Sequence, residues 1–133
     1  MQSKRKIYLD TSVISAKFDE TNPERKSLTE GFFQRIRDFD VFVSDLTIAE
    51  IEQTQDQKLR SMMLGEAKQF HALQANDEVR ELVNTLMIQH AVPEGFAEDA
   101  FHIGFAVAYD MDFLLSWNFK HIVRRKPKTS CEW

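Results

Sequence analysis

The sequence predicts an α/β fold: a mostly parallel central sheet with helices on both faces. Three observations carry this. First, the short apolar runs Ile7-Leu9, Val41-Val43 and Phe113-Leu115 lack polar alternation, as expected of parallel strands covered on both sides. Second, stretches with helical spacing separate these runs, which is the pattern of strand–helix–strand units. Third, each run ends in polar or acidic residues, and open α/β sheets hold their sites beyond the carboxyl ends of the strands.

The elements follow in order. The first strand stops at Asp10, and a short helix is expected after it. A second helix is expected over 23 to 38, with Leu28, Phe32, Phe33 and Ile36 on one side. The second strand ends at Ser44-Asp45, and a third helix opens near Thr47. A fourth helix covers 56 to 73, placing Leu59, Met62, Met63, Phe70 and Leu73 inward. A fifth spans 77 to 90 through Val79, Leu82, Val83, Leu86 and Met87. The last spans 95 to 110 and feeds the third strand through Tyr109-Asp110-Met111-Asp112. Right-handed crossovers put these helices on both faces of the sheet.

With 133 residues, 43% hydrophobic content and eleven Phe, the chain can bury one core, so 1–133 is read as a single domain. The longest apolar stretch is too short to span a membrane. The basic N-terminus precedes only three apolar residues, which argues against a signal peptide. The one cysteine, Cys131, excludes an intrachain disulfide and a cysteine metal site. A reducing cytoplasm is the expected compartment. A net charge of −4 does not advertise nucleic-acid binding, although Lys4-Arg5-Lys6 and Arg124-Arg125-Lys126-Pro127-Lys128 are basic runs, read as solvated tails.

The chemistry lies at the strand ends. Asp10-Thr11-Ser12 follows the first strand, Ser44-Asp45 with Thr47 and Glu50 the second, and Ser116-Trp117-Asn118 the third. Glu98-Asp99 open the last helix. Carboxylates gathered at one sheet edge repel each other, and a hard divalent cation is the usual reason to tolerate them. Each also has a plain structural reading. Asp10 or Ser12 suits an N-cap. Thr47-x-x-Glu50 matches a capping box. Glu98 and Asp99 suit the helix dipole, and Asn118 suits a turn. Both readings can hold at once.

At this level the chain resembles the PIN-domain family, in particular VapC-type toxin ribonucleases and close relatives. "IYLDTSVISA" resembles the opening strand and first acidic motif. "SDLTIAEIEQT" resembles the second strand and the helix bearing the second acid. "VPEGFAEDAFHIGFAVAYDMDFLLSWNFKHI" resembles the long closing motif. The resemblance implies a Mg²⁺- or Mn²⁺-dependent endoribonuclease acting on RNA, with Asp10, Glu50 and Asp99 as metal-holding catalytic acids and Ser12 as a polar companion. Asn118 stands where many relatives carry a fourth acid, which should weaken a second metal subsite. Glu98 is expected to face elsewhere, since consecutive helical side chains diverge. The resemblance also implies an antitoxin partner and a homodimer. Relatives usually continue after the "WNFKHI" segment with another helix and strand. Here that part is expected to be missing or shortened, with Pro127 discouraging a helix.

The remaining residues are read as structural. His102 lies three residues after Asp99, roughly on its helix face, and is taken as a structural histidine. His121 follows Asn118 by three; His71 and His90 show no partner pattern. Phe32, Phe33, Phe39, Phe42, Phe70, Phe101, Phe105 and Phe113 are read as core, and Trp117 as packing beside the site. Two rivals stand beside the nuclease. One is a PIN-like domain that has lost efficient catalysis and acts as a binding protein. The other is an aspartate-dependent phosphotransferase or receiver domain. The latter is disfavoured because Ser12 stands where a phosphatase wants a second Asp.

Overall fold

The computed structural model describes residues 4–89 and 97–118. His90, Pro93, His121, Cys131, the basic run 124–128 and the expected shortening of the closing segment lie outside the described residues.

The elements run β1 (Arg5–Leu9), α1 (Thr11–Lys17), α2 (Pro23–Gln34), β2 (Phe39–Ser44), α3 (Asp45–Glu52), α4 (Gln57–Ala67), β3 (His71–Leu73), α5 (Asp77–Ile88), α6 (Ala97–Ala108) and β4 (Phe113–Leu115). The four strands form one sheet in the order β3-β2-β1-β4, and every pairing is parallel. Ile7 sits opposite both Val41 and Phe113, and Tyr8 opposite both Phe42 and Leu114. The chain builds outward from β1 through β2 to β3, then returns to add β4 on the other side of β1. The strand order therefore reverses between β1 and β4, the kind of point where such sheets open a crevice.

Side-chain alternation along β1 divides the core in two. Tyr8 points to one face, where Val79 and Val83 of α5 pack with Ala100, Phe105 and Ala106 of α6. Ile7 and Leu9 point to the other, joining Val13 and Ile14 of α1, Ile51 of α3 and Met63 and Ala67 of α4. Both faces of the sheet are covered, which is why the strands read as unbroken apolar runs.

Several expectations need correction. The sheet has a fourth strand, β3, inside the segment predicted as helix. Phe70 and Leu73 have helical spacing, but they serve opposite cores: Phe70 packs beside α4 and Leu73 beside α5. α4 stops at Ala67 and is capped by Lys68. α2 ends at Gln34, and Ile36–Asp38 form a separate 3-10 turn. Leu28 and Phe113, expected in the core, are 61% and 51% exposed, and Met62 is also exposed while Met63 is buried. Asp112 receives the Lys6 amide at 2.8 Å, at the amino end of the sheet. Asp110 takes a positive φ of 62°, which turns the chain from α6 into β4.

Candidate functional site

Asp10 ends β1 in extended geometry and caps α1. Its Oδ1 accepts the Ser12 amide at 2.9 Å and the Ser12 hydroxyl at 2.6 Å; its Oδ2 accepts the Ser116 hydroxyl at 2.5 Å. The Asp10 amide donates to the Leu115 carbonyl at 3.2 Å, tying the ends of β1 and β4 together. Asp10 is 2% exposed, so these bonds offset the cost of burying its charge. The capping reading holds, and the residue also anchors the reversal point of the sheet. Ser12 Oγ in turn accepts the Trp117 amide at 2.9 Å, and Ser116 Oγ accepts the Asn118 amide at 2.9 Å.

Glu50 is not part of a capping box. The box on α3 is built one turn earlier, between Ser44 at the N-cap and Thr47. Glu50 is thus released to face the site, where its Oε1 accepts from the Thr11 hydroxyl and from His102 Nε2 at 3.0 Å. Behind His102 runs a buried chain. The Tyr8 hydroxyl lies 2.6 Å from His102 Nδ1 and 2.7 Å from Ser44 Oγ, and Ser44 Oγ accepts the Thr47 amide at 3.2 Å. One direction satisfies every partner. Ser44 donates to Tyr8, Tyr8 to His102 Nδ1, and His102 Nε2–H to Glu50. Burial pushes the Tyr8 hydroxyl well above its ordinary value, so it stays protonated and can donate. Burial also works to raise the Glu50 carboxyl, but the hydrogen bonds from His102 and Thr11 hold it below the usual range.

Glu98 corrects a second expectation. It lines the same cavity as Glu50 and feels its charge. Repulsion from Glu50, then burial, lifts the Glu98 carboxyl above its ordinary value. The charge of Asp99 raises it further. The cavity in front, about 500 Å³, is lined by Thr11, Ser12, Asp19, Arg25, Glu50, Glu98 and Asn118 among others. Asp99 is not among its lining residues, and Asp10 sits behind Ser12. The structure thus gathers Ser12, Glu50, Glu98 and Asn118 around one opening, with Asp10 buried and bonded to Ser12. His102 and Glu98 were overlooked as site residues. Their signal was a spacing of four, which puts both on one face of α6.

Among the described residues, no three His, Cys, Asp or Glu side chains stand together as a metal site. The donors that do converge are all hard oxygens, with two carboxylates pressed together. That set fits Mg²⁺ or Mn²⁺, which are commonly held by one or two carboxylates and water.

No family model and no curated protein sequence matches the chain. Solved structures do. The chain is 13% identical to VapC20 of Mycobacterium tuberculosis, a sarcin–ricin-loop-cleaving toxin. That match covers 86% of this chain and 91% of the other, at a TM-score of 0.62. It is 12% identical to VapBC2 of Rickettsia felis, seen bound to a promoter DNA fragment. Here 90% of this chain and 92% of the other are covered, at a TM-score of 0.67. At such identities the likeness is one of fold. With its parallel four-stranded sheet and its carboxylates at the strand ends, the chain has the PIN-type fold of the VapC proteins.

Proposed function

We propose that the chain is a Mg²⁺- or Mn²⁺-dependent endoribonuclease of the VapC type, the toxin of a toxin–antitoxin pair, working in the cytoplasm. The observation that carries this is the facing pair Glu50 and Glu98 at a cavity also lined by Ser12, the hydrogen-bond partner of Asp10, at the strand-order reversal of a VapC-like sheet. Two carboxylates held in contact are costly unless an opposite charge joins them. Asp10, Glu50 and Asp99 are the proposed holders of the cation, with Glu98 adding charge beside them and Ser12 and Asn118 orienting water. The bound cation supplies Lewis acidity and charge neutralisation for hydrolysis at phosphorus. The chain's own work is positioning. His102 and Thr11 fix Glu50 Oε1, and Ser12 and Ser116 fix Asp10, so the carboxylates need not reorganise when the substrate arrives. An antitoxin covering the same opening completes the reading, supported by the VapBC2 structure being that of a toxin–antitoxin assembly; a homodimer is proposed by family analogy alone.

The test is to incubate pure protein with mixed RNAs in Mg²⁺, in Mn²⁺ or with chelator, beside Asp10→Asn and Glu50→Gln. Cleavage in either cation that is abolished by chelator and by both substitutions, with the fold retained, is expected. Equal cleavage by Asp10→Asn and the parent rejects the site. A second reading, a binding protein without catalysis, draws on neutral Asn118 and on the lack of a three-carboxylate cluster among the described residues. Titration of Mg²⁺ into folded protein with no heat signal would favour it.

A further inference from the structure

Arg25 is the single cationic side chain among the described residues that line the acidic cavity. It lies on α2, half-buried, with its guanidinium 4.9 Å from the centroid of the Trp117 ring. Among the described residues it forms no salt bridge. Asp19, a carboxylate that feels its charge, is bonded to the Thr21 amide at 2.9 Å and the Thr21 hydroxyl at 2.6 Å. The stack is built rather than casual. Trp117 Nε1 donates to Thr29 Oγ1 at 3.1 Å, and Thr29 Oγ1 donates back to the Arg25 carbonyl at 2.7 Å. The Trp117 amide is bound to Ser12 Oγ, which also holds Asp10. Arg25, Trp117 and Asp10 are therefore members of one bonded assembly spanning α2 and the ends of β1 and β4.

A guanidinium laid on an indole spends its face on the ring and keeps its N–H edge for planar anions. A cavity lined by Asp19, Glu50 and Glu98 repels an RNA strand unless a fixed cation offsets that field. We propose that Arg25, held over the Trp117 ring at this cavity, binds a backbone phosphate of the RNA next to the linkage presented to the carboxylates. This rests on the RNA-cleaving reading above, and the contact is sequence-independent.

The experiment measures binding apart from cleavage. Anisotropy of a fluorescein-labelled single-stranded RNA is followed over a range of salt, in the Glu50→Gln background so that the RNA survives. Arg25→Gln is expected to weaken binding severalfold and to reduce the slope of log affinity on log salt by about 0.7, the loss of one phosphate contact. Arg25→Lys should restore the slope but only part of the affinity, because it keeps the charge and loses the fork. In a cleaving parent, Arg25→Gln should raise KM more than it lowers kcat. An unchanged salt slope in Arg25→Gln, or no RNA binding by the Glu50→Gln protein, overturns the proposal. Should the slope change while no variant or parent cleaves RNA, the phosphate contact stands and the nuclease reading falls. Circular dichroism melts of each variant separate these outcomes from unfolding.

Discussion

Tyr8 is fully buried, yet it carries a hydroxyl and sits between Ser44 and His102. A phenylalanine there would pack as well, so the hydroxyl is present for the chain that ends on Glu50. Removing it leaves His102 Nδ1 without a donor at a cost of about 1–3 kcal/mol. It also has a signature in pH. Burial raises the folded-state value above the ordinary value of 10.0, so in alkali the unfolded chain releases a proton that the native chain retains. Stability from this group is constant below about pH 10 and is lost as pH rises further, by up to about 1.4 kcal/mol per unit. Tyr8→Phe should be less stable at neutral pH and should lose stability less steeply above pH 10, measured by urea unfolding across that range. Identical alkaline slopes would place the proton elsewhere. The sequence showed Asp10 and Glu50 because each follows a strand run. His102 read as core because a histidine on an apolar helix carries no mark of what its two nitrogens touch. Glu98 was dismissed because it neighbours Asp99, although its spacing to His102 was the stronger guide to its face.

The helices that carry the site are held by close approach. Gly104 on α6 faces α5, and a Cβ there would lie 3.0 Å from the Val83 Cγ2 methyl and 3.3 Å from the Val79 carbonyl. Alanine gains about 0.8–1.0 kcal/mol in helix propensity. Pushing two packed helices apart costs about 1–3 kcal/mol. The second effect should win because the Val79 carbonyl is backbone and cannot rotate away. Gly104→Ala is therefore expected to lower unfolding stability by roughly 1 kcal/mol. Its cost should be smaller in a Val83→Ala background, where the methyl is absent. A more stable Gly104→Ala in the parent background would refute the close fit. At this scale the long elements were legible and the short ones were not. α5 and α6 repeat apolar residues over three turns, whereas β3 has three residues, of which Leu73 alone is buried. Its strand character comes from pairing with β2, which no local pattern records. Leu28, on the side of α2 that the periodicity assigned to the core, is likewise exposed.

Across the whole molecule, four parallel strands run the same way, the segments after β1 and β4 meet at one opening, and the acids gathered there add to a net charge of −4. The sheet was foreseeable because strand-and-helix alternation and right-handed crossover leave few arrangements. The convergence of acids was foreseeable for the same reason, but which acid of an adjacent pair would face inward depended on the rotation of α6. This crowding of charge predicts that divalent cations stabilise the fold. A cation at one hundred times its dissociation constant adds about 2.7 kcal/mol, so the melting temperature should rise in Mg²⁺ relative to chelator. A general salt effect would also raise it, by screening the negative surface. Two substitutions that each remove one negative charge tell these apart. Glu50→Gln empties the proposed cation site of a ligand, while Asp77→Asn changes an almost fully exposed carboxylate at the start of α5. If the cation binds at the strand ends, Asp77→Asn keeps the Mg²⁺-dependent rise and Glu50→Gln loses it. Should all three proteins gain equally, Mg²⁺ is acting on the overall charge, and the carboxylates at the strand ends are not its site.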